Sequence, residues 1–265
     1  CHIMIKTIVT AIFLVIFLFS NASGKEKTLS IAHRGGADIR PENTMSAFEN
    51  AINIGADYIE LDVHLSKDGV PVVIHDSGLE RTTDGKGKVE DKTLEELKKL
   101  DCGKWFSEEF REEKIPELEE VMDLVKDKTG LVIEIKNCDD LYDGIEEKIV
   151  KLVREKNMVR DIIIISFNYD RLKKVNELDE SIDTGFLYGG NKTDVCNMAL
   201  DAGIDYISPY WQNVNEELIK EAHSHNLRVS IWTVNDTDVM KKFIGMGVDA
   251  ITTDRPDLLL KELGK

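Results

Sequence analysis

Glu60 and Asp62 stand two residues apart in Ile59-Glu60-Leu61-Asp62-Val63, a run that otherwise reads as a buried strand. Alternate residues of a strand share one face, so the two carboxylates converge on one spot. Two unpaired charges there are costly, and the pattern calls for a cation between them. Glu134, in a second strand-like run, offers a third carboxylate. Three oxygen donors without cysteine suit a hard divalent cation, Ca²⁺ or Mg²⁺. The competing structural reading pairs these acids with Arg34 and Lys136. Three acids against two bases leave a negative excess, which favours the metal.

His33 and His75 are suited to general acid and base work, because their unperturbed pKa lies near neutrality. Singly, a histidine is more often a core or capping residue. Here both fall at strand ends close to the three carboxylates, and the catalytic reading wins, without deciding which is acid and which is base. His223 and His225 fall at a helix end and read as structural. Arg34 and Lys136 can hold an anion beside the metal, with phosphate the foremost candidate. Trp232 reads equally well as an apolar wall for the substrate and as filling for the mouth of the domain.

The elements that must position these residues alternate from residue 28 onward. Strands are expected at 29–33, 57–63, 130–136, 161–166, 182–187, 204–208, 227–233 and 248–253. Helices are expected at 42–54, 116–126, 141–156, 169–178, 193–202, 214–226, 237–246 and 256–263. Residues 70–75 form a further apolar run behind the turn Lys67-Asp68-Gly69, extending or flanking the second strand. Repeated strand–helix units imply parallel pairing. Eight of them in about 240 residues predict a (β/α)8 TIM barrel, whose active site lies at the C-terminal ends of the strands. An open doubly wound sheet would show a GxGxxG turn after strand one. Arg34-Gly35-Gly36 does not fit that pattern. Residues 77–115 interrupt the rhythm with a short helix at 93–100 and the aromatics Trp105, Phe106 and Phe110, and read as an insertion over one mouth.

Residues 1–22 carry one charge, Lys6, then an apolar run and Ser20-Asn21-Ala22. This is the pattern of a secretory leader, too short for a membrane span of ~20 apolar residues. Cleavage after Ala22 and export (secreted, periplasmic or cell-surface) are expected, with an uncleaved N-terminal anchor as the alternative. The formal net charge is −16, and losing the leader removes one base and no acid. So acidic a chain argues against nucleic acid or anionic membrane as a partner. Cys102, Cys138 and Cys196 form neither a CxxC nor a zinc pattern. At most one disulfide is possible. The oligomeric state is left open.

The ordered set of motifs resembles the glycerophosphodiester phosphodiesterase family. It comprises Ala32-His33-Arg34-Gly35, Pro41-Glu42-Asn43-Thr44, Glu60-Leu61-Asp62-Val63, Val73-Ile74-His75-Asp76, Leu79-Glu80-Arg81-Thr82-Thr83-Asp84-Gly85, Ile115-Pro116, Glu134-Ile135-Lys136 and Trp232-Thr233-Val234-Asn235. A lone HRG or ExD is weak; this set covers nearly all of residues 30–260. The resemblance implies a (β/α)8 barrel with a small insertion after the second strand. It implies a divalent cation held by Glu60, Asp62 and Glu134, two catalytic histidines, His33 and His75, and Arg34 and Lys136 near the phosphate. The implied reaction hydrolyses a small-molecule glycerophosphodiester to glycerol 3-phosphate and an alcohol.

Three rivals were weighed. A cyclising phospholipase of D-type or phosphoinositide-specific kind would dock on lipid through the insertion, but Glu108, Glu109, Glu112 and Glu113 surround its aromatics. A non-catalytic exported glycerophosphodiester-binding protein is disfavoured by the intact histidine pair. A Schiff-base aldolase on Lys136 is disfavoured because neighbouring carboxylates raise a lysine's pKa, the wrong direction for a nucleophile.

Overall fold

A computed structural model describes residues 27–136 and 142–265. The expected leader, and Cys138 with the start of the helix expected at 141, lie outside the described residues. Nine strands are present among those described: β1 (Leu29–Ala32), β2 (Tyr58–Leu65), β3 (Pro71–Val73), β4 (Gly130–Ile135), β5 (Ile162–Ser166), β6 (Asp183–Tyr188), β7 (Tyr206–Pro209), β8 (Arg228–Ile231) and β9 (Ala250–Thr253). They run in the order β1-β9-β8-β7-β6-β5-β4-β2-β3, and β1 also pairs with β2. That last pairing closes eight parallel strands into a (β/α)8 TIM barrel. The ninth, β3, lies antiparallel on the far end of β2, so the apolar run at 70–75 flanks strand two.

Each strand has a buried outer face and a buried inner one. Ile59, Leu61 and Val63 of β2, and Leu131, Ile133 and Ile135 of β4, join the large core beneath the helices. The alternate positions point inward. Ile31, Val132, Ile163, Ile165 and Leu187 fill the barrel in a smaller apolar cluster. Glu60, Asp62 and Glu134 occupy that inner face nearer the strand C-termini, as a two-residue period requires. The outer helices are α1 (Met45–Ile54), α3 (Leu118–Val125), α4 (Ile145–Glu155), α5 (Tyr169–Leu178), α6 (Val195–Asp201), α7 (Glu216–Ser224), α8 (Thr237–Met246) and α9 (Pro256–Glu262). A short α2 (Leu94–Leu97) lies within residues 77–115. Among the described residues no helix is long and apolar enough to cross a membrane.

Two differences from the sequence reading bear on the site. Helix α1 starts at Met45, not at residue 42. Thr44 is its cap: the Thr44 hydroxyl accepts from the Ala47 amide at 3.3 Å and donates to the Pro41 carbonyl at 2.7 Å. Glu42 and Asn43 are thereby released from the helix to face the barrel mouth. Residues 77–115 are also better packed than their charge suggests. Leu79, Val89, Leu97, Cys102 and Ile115 form a small apolar cluster. They share it with Val72 and Ile74, so the segment is anchored on the barrel rather than folded apart from it.

Candidate active site

Strand register assembles the carboxylates. Parallel pairing sets Asp62 beside Glu134, and Glu60 sits two residues back on the same face. One oxygen from each of Glu60, Asp62 and Glu134 lies within 4.8 Å of the others, and all three residues are buried. Lys136 Nζ reaches Glu134 at 2.9 Å and Asp62 at 3.2 Å. Asn43 Nδ2 donates to Asp62 at 2.8 Å. The ion pairs of the structural reading are thus present, and three acids still face two cations.

The electrostatics divide the three. Burial works against ionisation of Asp62, but Lys136 and Arg34 outweigh it and hold the carboxyl below the usual carboxylate range. Burial pushes Glu60 up to about 8, with the Asp62 charge adding to it. Burial and Asp62 likewise raise Glu134 to about 7. Carboxyls this reluctant to ionise without a counter-ion are the donor set that a divalent cation would hold deprotonated. Lys136 is raised despite its burial, because Asp62 and Glu134 favour the ammonium. A nucleophilic amine at this position is thereby disfavoured.

Arg34 follows β1 in a left-handed conformation, with φ of 51°. This turn points its backbone N–H at Glu60 Oε2, 2.9 Å away. The following Gly35 has φ of 84°, and a Cβ there would lie 2.7 Å from the Ala47 Cβ. Only glycine passes this close to α1. The buried Arg34 Nε has no hydrogen-bond partner among the described residues, although Asp62 Oδ2 is 3.3 Å away. A buried guanidinium N–H left over in this way suits an anionic ligand.

The two histidines sit on differently charged supports. His33 Nδ1 lies 2.5 Å from Asp254 Oδ1, just after β9, and Asn235 donates to the other Asp254 oxygen at 2.6 Å. His33 Nε2 lies 3.9 Å from Glu60. Burial lowers the His33 pKa, but the Asp254 hydrogen bond and the Glu60 charge overcome it and leave it raised. His75 Nδ1 lies 2.6 Å from Asp76 Oδ1. Asp76 is already engaged by Arg81 Nε at 2.6 Å. Burial lowers His75, and the Lys136 and Arg34 charges add to that, outweighing the opposing pull of Asp62 and of the Asp76 hydrogen bond.

These groups line a cavity of about 200 Å³. His33, Arg34, Glu60, His75, Glu134 and Lys136 form its polar side, and Ile163, Ile165, Leu187, Phe167 and Trp232 its apolar side. Trp232 is a wall: its ring stands edge-on to Phe167 at 5.3 Å, and its indole N–H donates to the Ser208 carbonyl at 2.7 Å. All eight site residues expected from sequence border the cavity, save Asp62, which lies fully buried beneath it. His223 instead pairs with Asp249 at 2.9 Å. The supporting roles of Glu42, Asn43, Asp76, Asp254 and Arg81 were not read from the sequence. Glu42, Asn43, Asp76 and Arg81 stand inside the quoted motifs and Asp254 follows the last expected strand, but nothing local tells which site residue each one meets.

Residues 33–258 match the family model described as the glycerophosphoryl diester phosphodiesterase family. The chain belongs to that family. It is an enzyme of that class. A glycerophosphodiester phosphodiesterase of Caldanaerobacter subterraneus subsp. tengcongensis is 45% identical over 240 residues, covering 90% of this chain and 99% of its own. A Bacillus subtilis glycerophosphodiester phosphodiesterase is 34% identical over 91% of this chain and 88% of its own. Among solved structures, an Oleispira antarctica phosphodiesterase in complex with the product sn-glycerol-3-phosphate matches with a TM-score of 0.85 at 28% identity. The match covers 90% of this chain and 98% of that one.

Proposed function

We propose that this family member hydrolyses glycerophosphodiesters to glycerol 3-phosphate and an alcohol, with a divalent cation at Glu60, Asp62 and Glu134 and with His33 and His75 as acid and base. The observation that carries the reading is a cluster of three buried carboxylates, two of which line one cavity together with both histidines. Ca²⁺ or Mg²⁺ bound there would neutralise charge on the phosphodiester and polarise it toward attack. Arg34 and Lys136 hold the phosphoryl oxygens beside it.

The assignment of the histidines follows their partners. Among the described residues the Asp254 carboxylate is hydrogen-bonded by His33 and the neutral Asn235 amide, an arrangement that raises the His33 pKa and suits the acid. Burial beside Lys136 and Arg34 lowers the His75 pKa, and Asp76, bonded also to Arg81, does not offset it, so His75 suits the base. His75 takes the proton of the attacking water as its oxygen bonds to phosphorus, or that of the glycerol's neighbouring hydroxyl, in which case water then opens the cyclic phosphate. The bond from phosphorus to the leaving oxygen breaks, and His33 protonates that alkoxide. Phe167 and Trp232 give the substrate an apolar wall on the other side.

The test is an assay of residues 23–265 on glycerophosphocholine and glycerophosphoethanolamine, with and without chelator. Chelator should abolish glycerol 3-phosphate release and added Ca²⁺ or Mg²⁺ should restore it. Release that chelator leaves untouched would overturn the metal role. Export belongs to the same proposal and rests on the leader pattern alone.

A further inference from the structure

Arg81 does not border the cavity. It sits in the insertion with 44% of its side chain exposed, where an arginine ordinarily serves solvation. Every polar contact it makes, however, runs inward. Its Nε donates to Asp76 Oδ2 at 2.6 Å, and its two terminal nitrogens donate to the two oxygens of Glu42, each at 2.8 Å. Asp76 passes this on to His75 through its other oxygen at 2.6 Å. Glu42 passes it on to Arg34 Nη1 at 2.9 Å. His75 follows β3 and Arg34 follows β1, two strands that do not pair with each other. One guanidinium thus ties together two site residues that the sheet does not hold in register.

The geometry requires a planar fork. Three N–H groups point in two directions at two carboxylates, a task a lysine cannot reproduce. The turn that carries Arg81 is itself fixed: the buried Thr83 hydroxyl donates to the Leu79 carbonyl at 2.6 Å and accepts from the Gly85 amide at 2.9 Å. Without Arg81, Asp76 keeps only His75 as a side-chain partner among the described residues and is free to swing outward, since a third of it is exposed.

We propose that Arg81 is a positioning residue for this reaction: through Asp76 it orients the His75 ring, and through Glu42 it orients the Arg34 guanidinium. This rests on the roles given above to His75 and Arg34. It assigns the insertion a part in assembling the site, beyond covering it.

The experiment is steady-state kinetics on glycerophosphocholine at saturating Ca²⁺ or Mg²⁺ for R81Q, R81K, D76N, E42Q, H75A and the R81Q/D76N double variant, with thermal melts of each. R81Q should lower kcat by about 10–100-fold, the usual effect of losing an outer partner of a site residue, and raise KM. D76N should reproduce most of the kcat loss, and E42Q most of the KM rise. R81Q added to D76N should change kcat by no more than about twofold, the mark of two residues acting through one path. R81K, which keeps charge and bulk, should recover only part of the loss, and it carries the test if R81Q does not fold. An R81Q or R81K enzyme with parental kcat and KM would overturn the proposal, as would kcat losses in the double variant that multiply independently. H75A at full kcat would instead remove the catalytic role of His75, and the proposal with it.

Discussion

At the scale of single residues, the two histidines are alike in sequence and unlike in surroundings. His33 is backed by Asp254, a carboxylate with no cation bonded to it, while the carboxylate behind His75 is shared with an arginine. His33→Ala should reduce turnover by at least ~100-fold, the contribution of one acid–base group; near-parental glycerol 3-phosphate release would remove it from the mechanism. Asp254→Asn tests the assignment through the pH profile. If His33 is the acid proposed above, it acts protonated, and activity should fall as pH rises through its pKa. Asp254 is a principal cause of the raised value. The asparagine variant should therefore move the alkaline limb of kcat/KM to lower pH and leave the acid limb in place. A shift of the acid limb instead would mean that the roles are reversed.

At the scale of elements, the site depends on one register and one close approach. The β2–β4 pairing that sets Asp62 beside Glu134 also sets the hydrophobic faces of both strands toward the helices. A one-residue slip would bury the acids in the outer core, so the register is held by apolar burial as well as by hydrogen bonds. The close approach is at Gly35, where β1 gives way to the turn that aims the Arg34 N–H at Glu60. Gly35→Ala places a methyl against Ala47 in a left-handed conformation. It should cost about 1–3 kcal/mol of stability, as strained backbone does, read from urea melts, and should lower activity beyond what the remaining folded fraction explains. The N-cap of α1 makes a milder comparison. Thr44→Ala removes the side chain that accepts from Ala47 and should cost about 1 kcal/mol. Because Glu42 and Asn43 hang from that cap, KM should rise as well.

For the whole molecule, the barrel gathers three carboxylates at one end against the two cations, Lys136 and Arg34, that pair with them. Glu60 and Glu134 are raised to about 8 and about 7 from an ordinary 4.5. A carboxyl whose folded pKa lies above its unfolded value binds more protons when folded, so stability falls as pH rises between the two values. Without metal, the protein should lose stability from about pH 4.5 up to about pH 8 through these groups. Metal binds the deprotonated carboxylates and only in the folded state. Added Ca²⁺ or Mg²⁺ should therefore raise Tm more at pH 8 than at pH 6, measured by scanning calorimetry after chelator treatment. An equal rise at both would mean that the ion binds elsewhere.

The barrel was legible in the chain because its signals are local: apolar runs of strand length, helical patterns ended by Gly55, Gly203 and Gly247, and polar residues gathered at strand ends. The Glu60–Asp62 pair was legible because a strand has a two-residue period, and Glu134 because its strand repeats the same pattern. Charge balance in the sequence already favoured a cation among them. What the sequence could not supply was distance across the closed barrel. His33 meets Asp254 only because β9 closes onto β1, 221 residues later. Arg81 meets Glu42 only because the insertion folds back over the mouth. No local period relates such residues, so their partnership, and with it the opposite pKa shifts of two otherwise equivalent histidines, is a property of the tertiary structure alone.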